Sequence, residues 1–318
     1  MRVLTFYDGR RTAARRVQID FLECLNEYCT YMTYGPREHE LNPILAPLDY
    51  SKDLTVQDIV KELQPDILLY YQSLVAQNVF KHIKGFDKFD LPAILLEVDV
   101  HDVKEKDWYT KHNIQYLLHR GTYEKQLLER FKIPTIWLPH AASSEFYNTE
   151  NKRYNKIMFV GNGRYSTNVL YTIRQQAIRI LENEDFLDWL GNVGHKDYPE
   201  ILRTYTCGLS CSAGTSRSTL GKHFEIMGSQ TALLSQHFTG EEILFGSEPF
   251  AFFYNEDMTD ILEVADKMLS DKKATAEIAK HSLSVIDKYH RYSHRAYELC
   301  QILVAVASGT PVPHRWEY

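Results

Sequence analysis

A two-part α/β fold is what this sequence predicts, and three observations carry it. The chain has 318 residues, about twice a common single domain. Short β-rich runs alternate with helical patterns along its whole length, the order that gives a parallel sheet covered by helices. One polar stretch, Asn148 to Asn155, interrupts the alternation, and a second series of strands and helices begins after it.

Taken in order, the first series places strands at Val3–Tyr7, Asp66–Tyr71, Ala93–Val98, Gln115–Leu118 and Thr135–Leu138. Helical patterns fill the intervals at Thr12–Cys29, Thr55–Leu63, Leu74–Ile83 and Thr122–Phe131. Pro65, Pro92 and Pro134 stand at the starts of strands, where a proline ends the preceding helix. The second series opens with the apolar run Lys156–Val160 and continues with strands at Phe186–Leu190, Gly208–Ser212, Ala232–Ser235 and Ala251–Tyr254. Its helices fit Asn168–Glu182, Pro199–Tyr205, Leu220–Gly228, Met258–Leu269 and Ala274–Tyr289. A last amphipathic helix, about Ser293–Ala307, is stopped by Pro311 and Pro313. Each series therefore reads as a Rossmann-like domain. The boundaries are 1–142 for the first and 143–290 for the second, with the last helix and tail at 291–318.

Composition narrows the classes. Hydrophobic residues make up 44%, enough for packed cores. No apolar run reaches the roughly 18 residues of a membrane span, and the apolar start Met1–Tyr7 is too short for a signal peptide. Five cysteines without an export signal suggest reduced thiols and a cytoplasmic protein. The Cys207–Cys211 pair has no second Cys/His pair at zinc spacing, which disfavours a metal site. A net charge of −6 with no basic block weighs against double-stranded nucleic acid as the main partner.

The most informative stretch runs from Ser212 to Leu234. A buried strand ends in the loop Ser212-Ala213-Gly214-Thr215-Ser216-Arg217, a helix starts near Gly221, and another strand follows. Ligands of open α/β sheets sit at the carboxyl ends of strands, where such loops and helix N-termini converge. Backbone N–H groups around Ser216, with Arg217 and Lys222, suit a phosphate. Glu225, one turn after Lys222, suits two vicinal hydroxyls, as a ribose offers. An ordinary surface Lys–Glu pair is the plainer explanation of the same spacing.

The string Lys222-His223-Phe224-Glu225-Ile226-Met227-Gly228-Ser229-Gln230 resembles the signature of GT-B-fold glycosyltransferases, in a group-1-like branch that includes the spore maturation protein CgeB. The run Phe159–Gly163 resembles the first strand and glycine loop of that family's nucleotide-binding domain, and Leu138–Ala142 its interdomain crossing. The resemblance covers about Leu138–Leu303. It implies two Rossmann-like domains around a deep cleft, a last helix crossing back to the first domain, and transfer of a sugar from a nucleoside-diphosphate sugar, UDP-linked in expectation, to an acceptor hydroxyl. The donor is a co-substrate; no cofactor and no obligatory metal is expected. On the donor side the resemblance nominates Gly161, Asn162, Gly163, Arg164, Ser216, Arg217, Lys222 and Glu225. Retaining members carry a second glutamate upstream of this helix; Arg217 takes that position here, which leaves the stereochemistry open.

For the transfer step, Asp99 and His101 end the most hydrophobic strand of the first half, and either could serve as the base an acceptor hydroxyl needs. Glu97-Val98-Asp99 also has the form of the Asp-x-Asp metal motif of the other large glycosyltransferase fold, a weaker reading because the donor signature here lies in the second half. Asp8, Gly9 and Arg10 after the first strand and His140 in the linker are acceptor or cleft candidates, and His195 is a further one. Three other functions remain open: a nucleotide-sugar epimerase, a non-catalytic nucleotide-sugar or glycan-binding protein, and a glycosyltransferase acting on a hydroxymethylated DNA base. The sugar, the acceptor and the oligomeric state are not legible.

Overall fold

The computed structural model describes residues 1–6, 21–34, 55–71, 84–86, 90–97, 108–121, 133–146, 153–161, 172–194, 197–211 and 217–316. It divides into two compact units: Met1–Pro139 with Arg295–Glu317, and His140–His294 with Tyr318.

The first unit is built on six parallel strands: β1 (Arg2–Phe6), β2 (Thr30–Tyr34), β3 (Ile67–Tyr71), β4 (Ala93–Glu97), β5 (Ile114–His119) and β6 (Thr135–Trp137). They lie in the order β2-β1-β3-β4-β5-β6. Side chains alternate across a strand, so Leu4, Phe6, Leu68, Tyr70, Leu95 and Leu117 share one core. Their neighbours Val3, Ile67, Leu69, Ile94 and Leu96 are also fully buried, as expected of a parallel sheet covered on both faces. Helix α1 (Val56–Leu63) begins with a capping box: Thr55 Oγ1 accepts from the Asp58 N–H at 3.2 Å, and Asp58 Oδ2 accepts from the Thr55 N–H at 3.0 Å. It ends at Gln64 in the left-handed conformation, just before Pro65. A short helix, α2 (Trp108–Lys111), leads into β5.

The second unit carries β7 (Tyr154–Phe159), β8 (Leu187–Trp189), β9 (Tyr205–Ser210), β10 (Ala232–Gln236) and β11 (Phe252–Tyr254), all parallel, in the order β11-β10-β9-β7-β8. Its helices are α3 (Thr172–Asn183), α4 (Tyr198–Thr204), α5 (Gly221–Gly228), α6 (Glu241–Phe245), α7 (Ile261–Ser270) and α8 (Lys272–Tyr289). One face of the sheet packs Ile157, Phe159, Leu209 and Leu234 against Ala177, Ile178 and Leu181 of α3. On the other face α5 lies close: a Cβ at Gly208 would come within 2.8 Å of the Met158 methyl and 3.2 Å of Ile226, so this strand position must be glycine. The last helix, α9 (Tyr292–Ser308), starts among residues of the second unit and continues among those of the first.

Both units are thus doubly wound α/β sheets, as the alternating pattern predicts. The differences are local. Of the helix expected over Thr12–Cys29, residues 12–20 lie outside the described residues and 21–23 are helical; the chain then passes through a 3₁₀ turn at Cys24–Glu27 into β2, a strand the sequence reading did not foresee. Thr30–Tyr34 becomes a strand because β1 offers it a complete parallel partner, a tertiary reason that local propensity does not carry. Helix α6 was also not foreseen; it has only five residues, fewer than two turns. The helices expected at Leu74–Ile83 and Thr122–Phe131 lie outside the described residues.

Candidate functional site

Strand order fixes where a ligand meets the second sheet. Its chain order reverses between β7 and β9, and ligands of open α/β sheets bind outside the carboxyl ends of the strands at such a switch point. Two cations arrive there from opposite sides. Lys222, in the first turn of α5, donates from Nζ to the Val160 carbonyl directly after β7 and stands 4.4 Å above the Phe159 ring. Arg174 of α3 donates to the Cys211 carbonyl directly after β9 at 3.4 Å, with its guanidinium 5.8 Å from the same ring.

Gly161 makes the close approach of Lys222 possible. Its φ is +126°, a conformation open mainly to glycine, and a Cβ there would lie 3.2 Å from the Lys222 ammonium. The Gly161 N–H donates to Gly191 O at 2.7 Å and its carbonyl accepts from Trp189 Nε1 at 3.0 Å, so the end of β7 is tied to the end of β8. Among the described residues no carboxylate forms an ion pair with Lys222; its ammonium is met by a carbonyl and a ring face. Desolvation, reinforced by the positive charge of Arg174 and partly offset by Glu225, brings the Lys222 pKa down to about 8.

One turn further along α5, Glu225 is buried with 7% of its surface exposed. Tyr198 of α4 donates its hydroxyl to Glu225 Oε2 at 2.6 Å. His140 is close by, since a Cβ on Gly221 would lie 3.4 Å from His140 Nδ1 and 3.9 Å from Glu225 Oε1. Between these polar groups, His223 serves the fold. Its Nδ1 accepts from the Leu220 N–H at 3.2 Å, closing the start of α5, and its Nε2 lies 3.3 Å from Ser235 Oγ. Burial, with Lys222 beside it, lowers the His223 pKa to about 3, so the ring is neutral. Arg153 fixes the other end of the helix by donating to the carbonyls of Ser229 and Gln230 at 2.9 and 2.6 Å.

Of the residues nominated from sequence, the structure brings Gly161, Lys222, Glu225 and His140 together. Arg217 is exposed and ion-paired with Glu256. Asp8, Gly9, Arg10, Asp99, His101, Asn162, Gly163, Arg164, His195 and Ser216 lie outside the described residues. Tyr198 and Arg174 are the polar neighbours that sequence reasoning missed. They stand 27 and 48 residues before the groups they serve (225 − 198; 222 − 174), and no local spacing announces a contact at that distance. Among the described residues no group of three or more His, Cys, Asp or Glu side chains could hold a metal.

Comparison with known proteins bears on this geometry. A family model described as "Glycosyl transferase-like" matches residues 150–301, the stretch that carries β7 to α9. No curated protein sequence matches the chain. Among solved structures, a glycosyltransferase from Rickettsia africae superposes with a TM-score of 0.64 at 12% identity, covering 97% of this chain and 99% of the other. Anabaena HepE in complex with UDP and glucose gives 0.62 at 12% identity, covering 96% and 100%. A DNA-modifying β-glucosyltransferase, solved with and without uridine diphosphoglucose, gives 0.63 at 10% identity, covering 96% and 99%. The fold is the one these solved glycosyltransferases share, two parallel α/β sheets in sequence, and the match to the family model falls on the second half of the chain.

Proposed function

We propose that this chain transfers a sugar from a UDP-linked donor to an acceptor hydroxyl, with the second unit holding the nucleotide. The observation that carries the reading is the pair of cations, Lys222 and Arg174, at the carboxyl ends of β7 and β9, one helical turn from the buried carboxylate of Glu225. A diphosphate would replace the Val160 carbonyl as the partner of Lys222, and Glu225 would accept from the two ribose hydroxyls. Gly161, with Asn162, Gly163 and Arg164 after it, and Ser216 with Arg217 complete the proposed donor side. Anabaena HepE, which shares this fold, has been solved with UDP and glucose and with UDP-glucose, which favours UDP over other carriers.

Cations fixed in this way would stabilise the departing diphosphate as the sugar–oxygen bond breaks through an oxocarbenium-like state. The scheme assigns that work to Lys222 and Arg174 and requires no metal. Chelator should therefore leave turnover intact, and loss of activity with EDTA that manganese restores would refute this part. Asp99 or His101 is proposed as the base for the acceptor hydroxyl, with His140 as the next candidate. The net charge of −6 favours a small molecule, glycan or protein acceptor over duplex DNA. The CgeB-like branch and a cytoplasmic setting belong to the same proposal; no helix among the described residues is long and apolar enough to cross a membrane.

The deciding experiment is calorimetry with uridine, UDP and UDP-sugars, followed by acceptor trials with the tightest donor. A UDP-sugar that binds and turns over with an acceptor supports the reading. UDP binding no tighter than uridine would remove the phosphate assignment.

A further inference from the structure

Two thiols meet in the first unit, away from the proposed donor site. Cys29 follows the 3₁₀ turn Cys24–Glu27, and Cys300 lies on α9. Cys29 Sγ donates to the Leu25 carbonyl at 3.4 Å and Cys300 Sγ to the Tyr28 carbonyl at 3.8 Å, so both sulfurs rest on the same turn. The carbonyl that Cys300 meets belongs to Tyr28, the residue directly before Cys29, which brings the two side chains close. Cys300 lines an open cavity of about 440 Å³ together with Tyr28, Tyr297, Gln301, Val304 and Thr310. The cavity brings a small oxidant up against a residue that is otherwise 8% exposed.

We propose that Cys29 and Cys300 form a reversible disulfide when a peroxide enters this cavity. The Cys300 thiolate attacks a peroxide oxygen, breaking the O–O bond and leaving a sulfenic acid and hydroxide, which takes up the proton the thiol released and becomes water. The Cys29 sulfur then attacks the sulfenic sulfur and expels a second water, so two thiols and one hydrogen peroxide give one disulfide and two waters. Cys300 is assigned the first step because it, and not Cys29, lines the cavity. Burial opposes the thiolate at both, which makes the pair slow to react and selective for sustained oxidation. The bond would close the chain from residue 29 to residue 300 and fasten α9 to the edge of the first sheet beside β2. Cys207 and Cys211, buried in the second unit, have no such partner thiol shown and are expected to stay reduced.

The test is peptide mapping of the full chain after hydrogen peroxide treatment and alkylation. Wild-type protein should lose two hydrogens in mass, yield a linked Cys29–Cys300 peptide, and melt at a higher temperature until dithiothreitol is added. Cys29→Ser and Cys300→Ser should each abolish the linked peptide and the shift in melting. Separately alkylated Cys29 and Cys300, a link to Cys24, cross-linked dimers, or Cys300 driven to the sulfinic acid in wild-type protein would each overturn the proposal. If a serine variant fails to fold, the wild-type map decides the matter alone.

Discussion

The two units bury cations in opposite ways. In the first, Arg295 is fully buried and fully partnered. Its Nε donates to Pro139 O at 3.1 Å, and one terminal nitrogen donates to both Glu298 oxygens at 3.1 and 2.9 Å. Glu298 also accepts from Arg315 at 2.6 Å and from Trp316 Nε1 at 3.1 Å, and the Trp316 ring lies 4.8 Å from the Arg295 guanidinium. In the second unit, Lys222 has a carbonyl and a ring but no carboxylate in ion-pair contact among the described residues. A buried cation given a carboxylate is costly to strip of it; one met only by weaker acceptors is the better candidate for an incoming anion. This is why the same doubly wound sheet serves as scaffold in one place and as a candidate site in the other.

The largest effect should follow from breaking the partnered cation. Glu298→Ala leaves Arg295 buried without its counter-charge, and unfolding free energy should fall by about 3–5 kcal/mol. Chemical denaturation measures it, and UDP affinity of the folded fraction should not change. A loss below about 1 kcal/mol would show that Arg295 finds water or another partner.

Removing Lys222, the cation without a carboxylate in ion-pair contact among the described residues, should do the reverse. Lys222→Met should leave the ligand-free protein as stable as before or more so, while UDP affinity falls by about 1.5–3 kcal/mol and uridine affinity barely moves. Equal losses for UDP and uridine would mean that the residue packs and does not bind phosphate. The pKa of about 8 adds a sign that can be checked. The folded protein gives up this proton near pH 8, whereas an unfolded lysine keeps it to about 10.4. Between those values the unfolded state binds more protons, so the Lys222 contribution makes ligand-free stability rise with pH. UDP affinity should run the other way and fall as pH passes through about 8, with proton uptake on binding measurable in buffers of different ionisation enthalpy. Glu225→Ala comes next, weakening UDP and uridine alike by about 1–3 kcal/mol because the proposed ribose contact would be common to both.

The fold was legible because its signals are short-range. Runs such as Ile67–Tyr71, every residue buried, and the prolines before strands need no distant partner to be read. Edge strand β2 was illegible for the opposite reason, since its partner β1 begins 28 residues earlier (30 − 2). The site divides the same way. Lys222 and Glu225 share one helix face and stood out by spacing and resemblance. Their reach to Val160 and Tyr198 depends on how α5 settles over Gly208 and on where α4 ends, which only tertiary packing fixes. Arg295 and Glu298, also one helical turn apart, show that the spacing itself does not tell a site from a structural pair.

The smallest predicted effect tests whether Glu225 is held ready for a ligand or is merely stored. Tyr198 sits in α4 with its ring edge-on to Phe146, 5.7 Å between centroids, and its hydroxyl donates to Glu225 Oε2 at 2.6 Å. Burial and the adjacent carboxylate push the phenol pKa well above its ordinary value, so the hydroxyl remains a donor throughout the working pH range. That hydrogen bond fixes one oxygen of Glu225 and sets the plane of the carboxylate proposed to meet a ribose. Tyr198→Phe keeps the ring and its packing and removes only the donor. Uridine and UDP should each lose about 0.5–1.5 kcal/mol of affinity by the same amount, with the melting temperature close to wild type. A hydrogen bond donated to the charged form also favours ionisation, so the acid limb of uridine binding should move to higher pH in the variant. Unchanged affinity and an unmoved acid limb would show that the Tyr198–Glu225 pair closes α4 onto α5 and has no part in holding a nucleoside.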